Sequence, residues 1–189
     1  MSEIVINSER FYQRLQRLVD YWSSNKGTLW GGSDVLCIPH GGRSDDTTNY
    51  SKSAAIQLYL LGYEIPDSII VITKNGFSFM ATDKKCKLLA DSLEGKSTTF
   101  TFKSLVRSKD EGQNREHFNA LIGLARKGGG STIGSIFKAE YKGDFIANWM
   151  TAVDMSQLTK FEIASPLGIF LCTKDEEELV SITSILCLY

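Results

Sequence analysis

The sequence is short of almost everything that marks a reaction centre. It has two histidines, His40 and His117, and four cysteines, Cys37, Cys86, Cys172 and Cys187, with no CxxC pair among them. Zinc sites draw their ligands from close pairs of such residues, so no metal is expected. The scattered cysteines read instead as reduced, mostly buried small hydrophobes. Neither sign of charge is in excess: 21 Lys and Arg stand against 22 Asp and Glu, for a formal net charge of −1. Non-specific nucleic-acid binding rests on many cations facing phosphates, so no direct contact with nucleic acid is expected. No window approaches the ~20 uninterrupted apolar residues of a membrane helix. The opening MSEIVINSERF lacks the basic start and apolar core of a signal peptide, which predicts a chain that stays inside the cell. What is present is an ordinary globular composition, 42% hydrophobic over 189 residues. That length suffices to bury roughly 70% of the unfolded surface around one core.

Along the chain, helical and strand patterns alternate. Residues 8–24 place Phe11, Leu15, Leu18, Val19 and Trp22 at helical spacing, with Asn7 or Ser8 as the cap. DVLCI at 34–38 reads as a strand, and PHGGRSDDTTN after it as a loop. Ala54, Ala55, Leu58 and Leu61, with Ile56 and Leu60, predict a packed helix that Gly62 ends and Pro66 keeps from resuming. SIIVIT at 68–73 is an apolar, β-branched run suited to a strand covered on both faces, and KNG turns it back into FSFMA at 77–81. Thr82 or Asp83 can cap a helix over 83–93, followed by a strand at 98–103. REHFNALIGLARK offers a helical face of Phe118, Leu121, Ile122 and Ala125, and STIGSIF at 131–137 another strand. GDFIANWMTAVD predicts a helix packed through Phe145, Ala147, Trp149 and Val153. The short apolar pieces FEIA and LGIFLC then precede KDEEELVSITSILCLY, whose acidic first turn suits a helix start. Its apolar tail stops at Tyr189 without a cap, which reads as a boundary inside a longer polypeptide. The alternation predicts an α/β layered domain with mixed strand pairing.

The candidate chemistry is thin. KGGGSTIG at 127–134 fits neither GxGxxG nor GxxxxGK[ST], and it leaves a helix to enter a strand, the reverse of a phosphate loop. HGG at 40–42 would need a GxSxG nucleophile to be an oxyanion-hole loop, and there is none. His40 therefore reads as solvated, and His117 as a surface or half-buried helix residue. Two-metal nucleases need several carboxylates around ions ~4 Å apart, yet only Asp34 touches a predicted strand. DKKCK at 83–87 has two readings, a solvated helix face or a recognition patch. In the second, Thr82, the first-turn N–H groups, Lys84 and Lys85 can hold an acidic or extended peptide.

One segment carries more information than its chemistry. YSKSAAIQLYLLGYEIPDSIIVIT at 50–73 resembles the pattern Y-x-KS-x-x-x-Q-x-W-L-x-GYE-x-x-D-[ST] of the large subunit of the FACT histone chaperone. FYQRLQRLVDYW and GSDVLCI upstream resemble that family's first helix and strand. FSFMATDKKCKLL, STIGSIFKAEYKGDFIANW and TKDEEEL downstream resemble its later segments in order. Tyr59 stands where the family has Trp, the loop at 39–49 is longer, and Ala139 replaces an acidic residue, all local departures.

The resemblance implies the N-terminal lobe of a domain similar to creatinase and aminopeptidase P. That is a mixed β-sheet flanked by helices in a ribonuclease H-like arrangement. Residues 1–173 would form the lobe, and 174–189 the start of a helix leading to an absent pita-bread lobe. It implies a non-catalytic, nuclear, cofactor-free protein-interaction module in nucleosome reorganisation during transcription, replication and repair. Its partners would be core histones or nucleosomes, with an HMG-box FACT subunit meeting other parts of the parent chain and no membrane involved. Lys52, Ser53, Gln57, Gly62, Tyr63 and Glu64 match the motif. Gly62 reads as the helix stop, and Tyr63 and Glu64 as the turn aiming the chain into a central strand. Lys52 joins Thr82, Lys84 and Lys85 as the candidate interaction residues. The competing reading is the N-terminal lobe of an active aminopeptidase P or creatinase-type metallohydrolase, whose catalysis would reside in the other lobe.

Overall fold

The strand pattern of the sequence becomes one sheet in the computed structural model, which describes residues 5–42, 51–127 and 129–173. Its strands are β1 (Val35–His40), β2 (Ser68–Thr73), β3 (Gly76–Ala81), β4 (Thr101–Val106), β5 (Thr132–Ser135) and β6 (Thr159–Glu162), in the order β4-β3-β2-β1-β5-β6. Only β2 runs against the others: it is antiparallel to β1 and β3, and the remaining pairs are parallel. The run β3-β2-β1-β5-β6 is the ribonuclease H-like arrangement, with β4 added outside β3.

Helices α1 (Ser8–Ser24), α2 (Lys52–Leu61), α3 (Asp83–Leu93) and α6 (Ala164–Cys172) share a core on one face, with α4 (Glu111–Arg126) and α5 (Asp144–Met155) on the other. Successive strand residues point to opposite faces. Leu36, Ile38, Ile70, Ile72, Phe77 and Phe79 meet Phe11, Leu15 and Trp22 of α1 in the first core. Val35, Cys37, Ile69, Val71, Met80 and Ile133 meet Phe118, Ile122 and Trp149 in the second. Both faces are covered, which is why SIIVIT is apolar at nearly every position.

Local chemistry sets the ends. Asn7 caps α1, its Oδ1 accepting from the Arg10 N–H at 2.9 Å. Ser51 caps α2, and Gly62 ends it at φ 75°, its N–H donating to the Leu58 carbonyl. That left-handed position costs a side chain with a Cβ about 1 kcal/mol, hence glycine. Helix α3 starts at Asp83 as predicted, with Thr82 in the cap position but without a side-chain capping bond.

Several expectations need correction. The strand predicted at 98–103 lies at 101–106, because the Ser97 hydroxyl accepts from the N–H groups of Thr99 and Phe100 and holds them in a turn. Helix α4 begins at Glu111, before the predicted Arg115, because Asp110 caps it. Ala147 faces solvent and Ile146 packs instead. FEIA contributes to β6, and LGIFLC is the body of α6. Pro39 and His40, predicted as loop, extend β1 opposite Ile69 and Ser68. Proline is tolerated there because the register with β5 stops at Cys37 opposite Ser135. The helix start predicted at 174 and Cys187 lie outside the described residues.

Candidate protein-interaction surface

With β2 alone reversed, the carboxyl ends of five strands and the amino end of β2 gather along one rim. Open α/β sheets bind their ligands at such a rim. Among the described residues, several polar side chains near this rim bond to the fold itself. His40 is only 7% exposed, against the solvated position expected from its loop-like surroundings. Its Nε2 lies 2.9 Å from Oε1 of Glu64. Burial pushes the imidazole pKa below its ordinary value, outweighing the opposing pull of Glu64 and Asp67.

Gln57, fully buried on α2, organises the turn that follows Gly62. Its Oε1 accepts from the Ile65 N–H at 2.7 Å, and its Nε2 donates to the Ser68 hydroxyl at 2.9 Å. The Ser68 hydroxyl in turn donates to the Ile65 carbonyl at 2.6 Å. On the β5–β6 side, Glu162 accepts from the backbone N–H groups of Phe137, Lys138 and Ala164. The Tyr141 hydroxyl donates to the Ile136 carbonyl, and burial pushes its pKa up to about 12.

The four candidate interaction residues fall in two places. Thr82 and Lys84 are exposed at the start of α3. Lys85 is half-buried, its ammonium donating to the Pro66 carbonyl and so tying α3 to the turn before β2. Lys52, half-buried in the first turn of α2, points its ammonium toward Gly168 of α6. The structure thus groups Thr82, Lys84 and Lys85 and sets Lys52 apart, on the α6 side.

At the opposite rim the glycine loop does bind an anion, and the anion is the chain's own. Asp34 Oδ2 accepts from Ser131 and Thr132 N–H groups at 2.8 and 3.0 Å, while Oδ1 takes Lys26 Nζ at 2.7 Å. Desolvation pushes the carboxyl pKa up, but Lys26 and the two N–H groups outweigh it and hold the pKa below the usual value. A Cβ at Gly130 would sit 2.3 Å from the Ala125 carbonyl and 2.6 Å from the Asp34 carboxyl carbon, so only glycine fits. Among the described residues no three His, Cys, Asp or Glu side chains gather as a metal ion would require. Cys37 and Cys86 are buried, in line with mostly buried cysteines, and burial raises both pKa values, whereas Cys172 is exposed. His117 is half-buried, as expected.

Sequence reasoning did not identify a groove of ≈ 990 Å³ between α4 and α5. Its walls are one stripe of each helix: Asn114, Phe118 and Ile122 on α4, and Phe145, Asn148 and Ala152 on α5. The helical spacing of both stripes is readable in the sequence, but that they face each other follows only from the strand order.

This fold, a six-stranded mixed sheet with helices on both faces, is shared with solved aminopeptidases of the X-Pro type. An X-Pro aminopeptidase structure from Thermotoga maritima superposes with a TM-score of 0.55 over 87% of this chain and 37% of that one, at 14% identity, a likeness of fold alone. The more particular match is over residues 6–166, which fit the FACT complex subunit SPT16 N-terminal lobe domain, and the chain belongs to that family. The FACT complex subunit SPT16 of Mycosarcoma maydis is 32% identical over 96% of this chain and 18% of its own length. The N-terminal domain of FACT complex subunit SPT16 from Eremothecium gossypii superposes with a TM-score of 0.80 at 27% identity, covering 94% of this chain and 40% of that one. Its counterpart from Cicer arietinum gives 0.79 at 25% identity, covering 93% and 40%. The chain spans less than a fifth of the length of the curated relatives it matches.

Proposed function

We propose that this chain is a non-catalytic protein-interaction lobe of a histone-chaperone subunit. Its parent acts in the nucleus on nucleosomes during transcription, replication and repair. One observation carries the reading: the family match over residues 6–166 coincides with a sheet rim whose polar side chains hold the fold's own turns. Side chains held in this way support a surface rather than a reaction centre. Within the parent, residues 1–173 form the lobe and 174–189 lead toward a pita-bread lobe. An HMG-box subunit engages other parts of the parent chain, and core histones meet this lobe. Thr82, Lys84 and Lys85 at the start of α3, and Lys52 separately on the α6 side, are the contact residues of this reading.

Titration of labelled histone tails and histone dimers against the wild-type lobe and the Lys84→Glu/Lys85→Glu variant tests the patch. Affinity unchanged by both reversals removes it. Peptide hydrolysis by the full-length parent, measured with and without added divalent metal, tests the non-catalytic assignment. Metal-dependent turnover would return the chain to the peptidase reading.

A further inference from the structure

The groove between α4 and α5 has a charge pattern that the histone reading leaves unused. Four cations line it, Arg107, Lys109, Arg115 and Arg126, against two carboxylates, Glu111 and Asp144. Both carboxylates stand in the first turns of their helices, where the N-terminal dipoles already complement them. Among the described residues, Arg107, Lys109 and Arg115 are not ion-paired to any carboxylate. Arg107 lies over the ring of Phe145, 4.5 Å from its centroid, which fixes one cation at the head of the groove above an aromatic floor. Arg126 is tethered at the far end, donating to the Ser156 carbonyl at 2.7 Å. Beside it Met155 is 77% exposed, an apolar side chain left standing in solvent at the foot of the same groove.

We infer that this groove receives an amphipathic helix of a partner protein, apolar on one side and acidic along its flanks. Helix α5 is 12 residues long, about 18 Å, so the groove accommodates roughly three turns of a third helix laid beside the pair. An apolar residue of the incoming helix would cover Met155, and a neighbouring one the half-buried Ala152. Its carboxylates would meet Arg107, Lys109 and Arg115 at the head and Arg126 at the foot. Met155, exposed at the foot of the groove, favours an apolar side chain there over the phosphates of a nucleic-acid strand. Thr82, a contact residue of the reading above, also lines the head of this groove, and what sets the two sites apart is partner chemistry: this occupant is acidic where histones are basic.

The test uses the 189-residue chain and a labelled synthetic peptide of about four helical turns, with a Leu face flanked by Glu. Fluorescence anisotropy measures binding, and amide shifts of the isotopically labelled chain locate it. Binding is expected with shifts confined to α4, α5 and the residues from Arg107 to Asp110. Lys109→Glu/Arg115→Glu, both exposed positions, should weaken it about tenfold. Met155→Asp should weaken it comparably, and Lys84→Glu should leave it unchanged. A peptide with Ser in place of Leu should not bind. Affinity unchanged by the double reversal, shifts elsewhere on the surface, or preferential binding of duplex DNA at the same cations would each overturn the inference.

Discussion

Replacing Gln57 by Leu tests whether the helix–turn–strand segment at 52–73 is held by one buried amide. The substitution preserves size but removes the acceptor of the Ile65 N–H and the donor to Ser68. Ile65 and Ser68 are both buried, so water cannot replace the lost partners without opening the turn. An orphaned buried N–H costs about 1–3 kcal/mol, and the second hydrogen bond about 1 more. Burying Leu in place of an amide returns about 1 kcal/mol. The net loss is about 1–3 kcal/mol, visible in urea unfolding as a lower midpoint at unchanged slope. In a chain of this size it lowers Tm by roughly 2–12 °C. Ser68→Ala should cost less alone, and the double variant less than the sum of the two, by about 1 kcal/mol. A Gln57→Leu protein within about 0.5 kcal/mol of wild type, or singles that simply add, would refute the network.

Other expectations follow from the same geometry. His40 has a folded pKa below its unfolded value, so the unfolded chain binds the proton first and stability falls as pH drops through the unfolded value of about 6.5. Thermal melts across that range should show the loss in wild type and a shallower one in His40→Gln. Asp34 works at lower pH: its depressed pKa contributes stability above the unfolded carboxylate value, and that contribution goes as pH falls through the folded one. Asp34→Ala should therefore flatten the acid limb of the stability curve, and at neutral pH should free the 131–132 amides to exchange faster. Gly130→Ala should destabilise at least as much as Asp34→Ala, since its Cβ meets both the Ala125 carbonyl and the Asp34 side chain. Equal unfolding midpoints for wild type and Gly130→Ala would contradict that. Timed alkylation with peptide mapping should label Cys172 before Cys37 and Cys86, the last two only as the domain opens.

What the sequence disclosed, and what it withheld, divide along a physical line. Helices α1 and α3 were legible to the residue because periodic apolar faces and end signals coincide there. The hairpin of β2 and β3 was legible for the same reason, a β-branched run broken by a tight turn. His40 was misread because its fate depends on β1 pairing with β2 beyond Pro39, a contact between segments far apart in sequence. Its surroundings of Pro, Gly and Asp are loop-like by composition, and composition cannot report a strand's partner. The α4–α5 groove was hidden for a related reason: each stripe is readable alone, while their juxtaposition belongs to the sheet order. At the Lys-rich start of α3, Lys85 reaches back to Pro66, which no spacing rule would have supplied.

The parallel pairing of β1 with β5 has a kinetic consequence. The β2–β3 ribbon can zip locally, whereas the edge of β1 away from β2 must wait for β5, synthesised after three more strands and three helices. Closing that long loop has an entropic cost before any contact across it compensates, so it belongs to the late, slow part of refolding. Quenched-flow labelling should find the amides of 69–80 shielded well ahead of those at 133–135.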